Sequence, residues 1–432
     1  MTAATRIVLL CPNPVGARMG GVGIRYTELA RALGDAGLDV TILAPESEDA
    51  RIAGVQLRDW RLDGVRSLRA SLAAADAVLT PPAAPHVLRE VRRCGARIAV
   101  DLYDPVPLEV LERHAAGAGA LRSLHTTTAT DELADALRSG DFFVCASERQ
   151  RDLWIGALLV AGRVTPRAYD RDVTLRALID VVAFGVPDAP PSPSTVDAIR
   201  ERFPQIAANE RIVLWNGGLW VWLDAPAAIA AVALLRDRGV PVRLVFMGAS
   251  DAGGGGAALA DARAAVARHE LGDTVLFNDS WVRYDERSGW LQAADAAIST
   301  HRDHLETRFA FRTRLLDCLW AGVPAVVTSG DALAERIAAE DLGAVAAPGD
   351  VDGLAAGIER VLERGRDAYA PRLRAAARDY EWSRVIAPLR AFLAAEPGTS
   401  AGRSLPLAGT ASRPVRRTAR RLTRWVRVLR DG

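Results

Sequence analysis

Lysine is missing from this chain: all 54 basic residues among its 432 are arginine. No lysine base, Schiff base or phosphate-loop lysine is therefore available. The arginine bias, alongside abundant alanine, reflects a GC-rich genome more than a function. Only four cysteines occur, Cys11, Cys94, Cys145 and Cys318, and none has CxxC spacing. That argues against a disulfide framework or a zinc site and for a reducing compartment. No apolar run approaches the roughly 20 residues that span a bilayer. Ile7–Leu10 is too short for a signal-peptide core, so a cytoplasmic location is expected. The first glycine turn lacks GxGxxG, which disfavours hydride transfer on a dinucleotide.

What is present is a chain half hydrophobic, long enough for two or three domains. Short apolar runs alternate with helical segments, the pattern of parallel sheets with crossover helices. It occurs twice. Strands are expected near residues 6–11, 39–44, 77–79, 97–102 and 142–146, and again near 211–215, 242–247, 274–277, 296–299, 325–328 and 344–346. Gly185–Ser194, rich in proline, reads as a linker. The expected fold is α/β, with two doubly wound domains facing a cleft and ligands at the carboxyl ends of their strands. The divisions are 1–185, a linker and first helix at 186–210, a second domain at 211–380, a returning helix at 381–396, and a tail at 397–432.

One stretch, HRDHLETRFAFRTRLLDCLWAGVPAVVT at residues 301–328, holds more chemistry than any other. Glu306 and Arg308 stand in its approach. Phe309–Trp320 reads as a helix with Arg312, Thr313 and Arg314 in its first turn, ended by Ala321-Gly322. A helix N-terminus suits an anion, and arginines there add charge where a diphosphate could sit. The alternatives are a solvated surface loop and an Arg314–Asp317 pair one turn apart. Two glycine turns follow first strands: Gly20-Gly21, and Gly217-Gly218 within NGGLWVWLD. Each is either an ordinary tight turn or a place where backbone approaches a ligand. The tryptophans of the second turn, Trp220 among them, belong in a core or stack on a ligand. His301, Asp303, His304 and Glu306 superficially resemble metal ligands, but no further histidine cluster supports a site, and none is expected. His125, before three threonines, reads as a loop residue.

The tail is a separate object. Residues 401–432 carry nine arginines and one acid, leaving residues 1–400 at a net −7 in a chain whose total is +1. Over 413–432, Val415, Ala419, Leu422, Val426 and Leu429 recur at helical spacing among arginines. This is the pattern of a basic amphipathic helix on an anionic membrane. A disordered tail is the alternative; a nucleic-acid arm is disfavoured by the acidic body, so no nucleic-acid partner is expected.

Taken in order, Gly20-Gly21, GGLWVWLD, the loop at Glu306 and LLDCLWAGVPAVVT resemble the GT-B glycosyltransferases, close to the family 4 retaining enzymes, over roughly residues 5–395. DLYDP at 101–105, CASERQR at 145–151 and HLETRFAFRTRLLD resemble a narrower bacterial subgroup. The resemblance implies two Rossmann-like domains, a nucleotide-diphosphate sugar as substrate rather than a cofactor, and transfer with retention. It implies donor-sugar contact for Glu306 and ribose contact for Asp317. The spacing departs from the family: its two glutamates stand eight apart, whereas Glu306 and Asp317 are eleven apart, and Phe309 occupies the usual place. The family's arginine and lysine are missing from GGLWVWLD, so Arg312 and Arg314 are expected to meet the diphosphate from the other side. Asp104, at a first-half strand end, is the candidate for acceptor contact or base, a turn cap being its alternative role.

The function expected is sugar transfer to a glycan or lipid-linked acceptor for cell-surface polysaccharide, without a metal, by a protein held peripherally at the inner membrane face. Rival readings are a nucleotide-sugar epimerase of the same fold, and a scaffold that has lost turnover.

Overall fold

The computed structural model describes residues 4–395 except 46, 48–50, 61–63, 116, 118 and 250–255. The tail expected to form a basic helix lies outside the described residues. Two sheets organise the rest, every ladder within them parallel. The first holds β1 (Arg6–Leu10), β2 (Asp39–Ala44), β3 (Val55–Asp59), β4 (Ala77–Thr80), β5 (Arg97–Asp101), β6 (Phe142–Cys145) and β7 (Ile179–Val181). The second holds β8 (Arg211–Trp215), β9 (Val242–Phe246), β10 (Val275–Phe277), β11 (Ala296–Ser299), β12 (Ala325–Thr328) and β13 (Gly343–Ala346). Their orders are β3-β2-β1-β4-β5-β6-β7 and β10-β9-β8-β11-β12-β13.

Both sheets are doubly wound, so each reverses direction beside its own first strand: between β1 and β4, and between β8 and β11. Loops at such a reversal splay apart and leave a crevice at the strands' carboxyl ends. Central strands are apolar on both faces because helices cover both; β4, β6, β11 and β12 are buried at every residue. β3 and β7 are not foreseen from the sequence. β3 alternates half-buried and exposed residues at the sheet edge, and β7 has three residues, too few to show a period.

The chain crosses between the sheets twice at one place. Val186 N–H donates to Tyr380 O (2.7 Å), and Trp382 N–H donates to Val186 O (3.0 Å). Gly185 is obligatory there, since a Cβ would lie 2.4 Å from the Trp382 ring. The returning helix Ala387–Ala394 then docks on the first sheet, where Phe392 stacks on Phe142 at 5.0 Å. Arg97 caps its last carbonyls, donating to Phe392 O and Ala395 O, each at 2.7 Å. Among the described residues no helix is long and apolar enough to cross a membrane. His125 sits within the helix Gly119–Ser139, stacked on His114 at 4.5 Å, and is not a loop residue.

Candidate active site

The segment at 301–328 is two helices rather than one. Leu305–Phe309 forms a single turn capped by His304, whose Nδ1 accepts from Thr307 N–H at 3.2 Å. The next helix, Thr313–Ala321, starts only after Arg312. The continuous helix expected from Phe309, with Arg312 in its first turn, is therefore corrected. Asp331 is the physical cause. It caps the helix Ala332–Ala339 through Leu333 and Ala334 N–H and draws the Arg312 guanidinium inward. Arg312 Nε lies 2.6 Å from Asp331 Oδ2, with both side chains at most 1% exposed. Its Nη1 donates to Thr328 O (3.0 Å). Arg312 thus ties the end of β12 to the following helix.

Arg314 behaves differently. Its Nη2 donates to Gly218 O (3.0 Å), and its guanidinium carbon lies 5.4 Å from the Trp215 ring centroid. Asn216 returns the contact, donating from Nδ2 to Arg314 O (2.7 Å). Gly217 has φ +140°, and a Cβ there would lie 3.4 Å from that guanidinium carbon. The glycine turn and the start of the helix Thr313–Ala321 are thus fastened face to face. The amides of Gly217 and Gly218 donate to no carbonyl among the described residues. Burial, then the charge of Arg312, lowers the Arg314 pKa to about 10, still cationic at neutral pH.

Buried polar atoms without a partner collect here. Asn216 Oδ1, Ser299 Oγ, His301 Nδ1, His304 Nε2, Glu306 Oε2 and Arg314 Nη1 all lack one. They lie at or just beyond the ends of β8 and β11, or on the helices that follow. Unmet buried donors and acceptors are costly, so such a concentration marks where a polar ligand belongs. Burial, then Arg312 and Arg314, holds His301 well below its usual range and therefore neutral.

Asp317 is paired, but not with Arg314. Arg287, from the helix Arg287–Ala293, donates from Nε to Asp317 Oδ1 (3.1 Å) and lies between the rings of Tyr284 (3.6 Å) and Trp320 (4.8 Å). Sequence reading missed Arg287, because thirty residues separate it from Asp317 and no local pattern joins them. Thr313 opens the helix, half-buried. Trp220 and Trp222 stack in parallel at 5.3 Å, both half-buried, while Trp215 is fully buried.

The first sheet supplies the opposing wall. Gly20 and Gly21 open the helix Gly21–Asp35, and a Cβ at either meets nothing within 4 Å. Close approach is instead needed at Gly23, whose Cβ would lie 2.5 Å from Pro14 O. Asp101 is committed to a buried bidentate pair with Arg25, at 2.9 and 3.0 Å. Asp104 has no ion-pair partner among the described residues. Burial, then Glu109 and Asp101, raises its pKa well above the carboxylate range. Glu109 lies on the helix Val106–Arg113, which packs against Leu305–Phe309. Burial, then Glu109, pushes Glu306 up to about 8. The helix that carries Glu109 thus lies against the turn that carries Glu306. Gln150 bridges the same gap, donating to Tyr103 O and to Phe309 O, each at 2.9 Å.

Two doubly wound parallel domains, with a partnerless polar site at the strand ends of the second, have the architecture of the GT-B fold. Comparison with known proteins agrees. Residues 210–364 match the family described as Glycosyl transferases group 1. The chain is 25% identical over 426 residues to a phosphatidyl-myo-inositol mannosyltransferase of Mycolicibacterium smegmatis, covering 94% of this chain and 98% of that protein. Its fold matches a sucrose-phosphate synthase from Thermosynechococcus elongatus (TM-score 0.62, 17% identity, 90% of this chain and 97% of that one). It also matches the Anabaena protein HepE, solved with UDP-glucose (TM-score 0.62, 14% identity, 90% and 99%). The chain is a glycosyltransferase of GT-B fold, similar to the group 1 family over its second domain.

Proposed function

We propose that the protein transfers a hexose-type sugar from a nucleoside diphosphate to a lipid-linked or cell-surface glycan precursor, with retained configuration. The observation that carries this reading is Arg314, seated against the Gly217-Gly218 turn with Nη1 unpartnered beside a helix start. A diphosphate there would accept from that guanidinium and from the free glycine amides. Negative charge grows on the diphosphate as the glycosidic bond breaks, and donors fixed in advance at that oxygen stabilise it most. Arg312 contributes by holding Thr328 and Asp331 in place, so direct phosphate contact falls to Arg314. Glu306 addresses the sugar, Asp317, steadied by Arg287, the ribose, and Trp220 the donor side of the turn. Asp104 faces the acceptor. Protein donors carry the leaving-group charge in this scheme without a metal.

A lipid acceptor is supported by the name of the mannosyltransferase relative, whose acceptor is a phosphatidyl-inositol. The arginine-rich pattern at 413–432 would hold the cleft at the inner face of the membrane. Carboxyls on both sides of the cleft also suit an epimerase, which must handle the sugar from two faces. Incubation with a panel of nucleotide sugars separates the readings. Slow release of nucleoside diphosphate and free sugar supports transfer, and an isomerised nucleotide sugar supports the epimerase. Absence of binding and turnover across the panel refutes both and leaves the scaffold.

A further inference from the structure

The turn Leu305–Phe309, which carries Glu306, is too short to satisfy its own last carbonyls. Ala310 N–H takes those of Glu306 (2.8 Å) and Thr307 (3.3 Å). The other two are met from the first sheet's side of the cleft: Gln150 Nε2 donates to Phe309 O (2.9 Å), and Arg149 Nη1 to Arg308 O (3.3 Å). Both donors stand in the first turn of the helix Glu148–Val160. Arg149 also donates to Gly330 O (3.0 Å) and Glu335 (2.7 Å), on either side of Asp331 in the chain. Gln150 reaches the acceptor wall as well. The same Nε2 donates to Tyr103 O (2.9 Å), and Trp154 Nε1, one helical turn along, donates to Leu102 O (3.1 Å). Leu102 and Tyr103 lead directly into Asp104. Ala146 N–H donates to Gln150 Oε1 (2.8 Å), and Gln150 is fully buried. Its amide orientation is therefore fixed, since a flip would set its oxygen against two carbonyls.

From this geometry, and resting on the glycosyl-transfer reading, we infer that Gln150 is a positioning residue for the reaction: through one amide nitrogen it sets the Glu306 turn, and with it the donor sugar, in register with the acceptor segment at Asp104. Arg149 supports the same turn from the rim. Reacting groups displaced by about 1 Å lose roughly 10²-fold in rate, so an anchor shared by the two segments matters beyond the strength of its own hydrogen bonds. Among the described residues Gln150 has no hydrogen bond to Arg314, Gly217, Gly218 or Asp317, the groups assigned to the diphosphate and ribose. Its loss should be felt at the sugar and not at the nucleotide.

Calorimetry on the full chain with UDP, GDP, UDP-glucose and GDP-mannose tests this split. In Gln150→Leu and Gln150→Glu the nucleoside diphosphate should bind within about twofold of the unaltered chain, while the nucleotide sugar weakens roughly fivefold or more relative to it, as expected for about one lost hydrogen bond. Gln150→Glu keeps the shape and the acceptor for Ala146 N–H, so it carries the test if thermal unfolding shows that Gln150→Leu does not fold. Arg149→Ala should shift the same ratio in the same direction by less. A ratio that stays constant or falls, or an equal loss of both affinities, overturns the inference and leaves the transferase reading standing. Absence of nucleotide binding by the unaltered chain removes both.

Discussion

Glu306 offers a direct measurement of how hard the cleft works against its own charge. Its folded-state pKa stands at about 8 against an ordinary 4.5, burial being the larger cause and Glu109 the next. A carboxyl raised in this way binds its proton more tightly folded than unfolded. Stability is therefore complete below about pH 4.5 and falls as pH rises toward 8. At pH 7 the interval already traversed costs about 3 kcal/mol at ~1.4 kcal/mol per pH unit. Glu306→Gln keeps the shape and hydrogen-bonding capacity of the protonated acid without the titration. Chemical unfolding of both proteins should give nearly equal stabilities at pH 4.5, and a variant ahead by about 3 kcal/mol at pH 7. Parallel pH curves, with a constant difference between the two proteins, would refute the reasoning: Glu306 would then titrate alike folded and unfolded.

The two arginines of the 301–328 segment should separate in experiment. Arg314→Ala is expected to lower donor turnover roughly 10²-fold with little change in stability, whereas Arg312→Ala strands Asp331 and should cost about 3–5 kcal/mol in unfolding. Identical phenotypes would contradict the assignment. Arg25→Ala should destabilise by about the same 3–5 kcal/mol by leaving Asp101 buried and unpaired, and replacing Arg25 and Asp101 together with Met and Leu should recover most of it in the same assay. Deleting residues 413–432 should spare donor hydrolysis but release the protein from anionic vesicles in a flotation assay; undiminished flotation argues against a membrane role for the tail.

The second sheet was readable almost strand for strand, because fully buried parallel strands are short apolar runs with little else in them. The glycine turn after β8 was equally visible. What escaped were contacts decided by tertiary packing. The break at Ala310–Arg312 interrupts a stretch whose apolar spacing runs on unbroken, and its cause, Asp331, lies nineteen residues further along. Arg287 and Asp317 belong to different helices, and only the fold makes them partners. Arg312 and Arg314 look interchangeable in sequence; one points inward and the other toward the glycine turn. Glu109 carried no motif, and became notable only when its helix packed opposite Glu306.

The double crossing at Val186 and Trp382 limits what either half of the molecule can do alone. The halves are fastened there and again where Gln150 donates to Phe309 O and Arg149 donates to Gly330 O and Glu335, so separating them would strip partners from both and expose Gly185 and the Trp382 ring that packs on it.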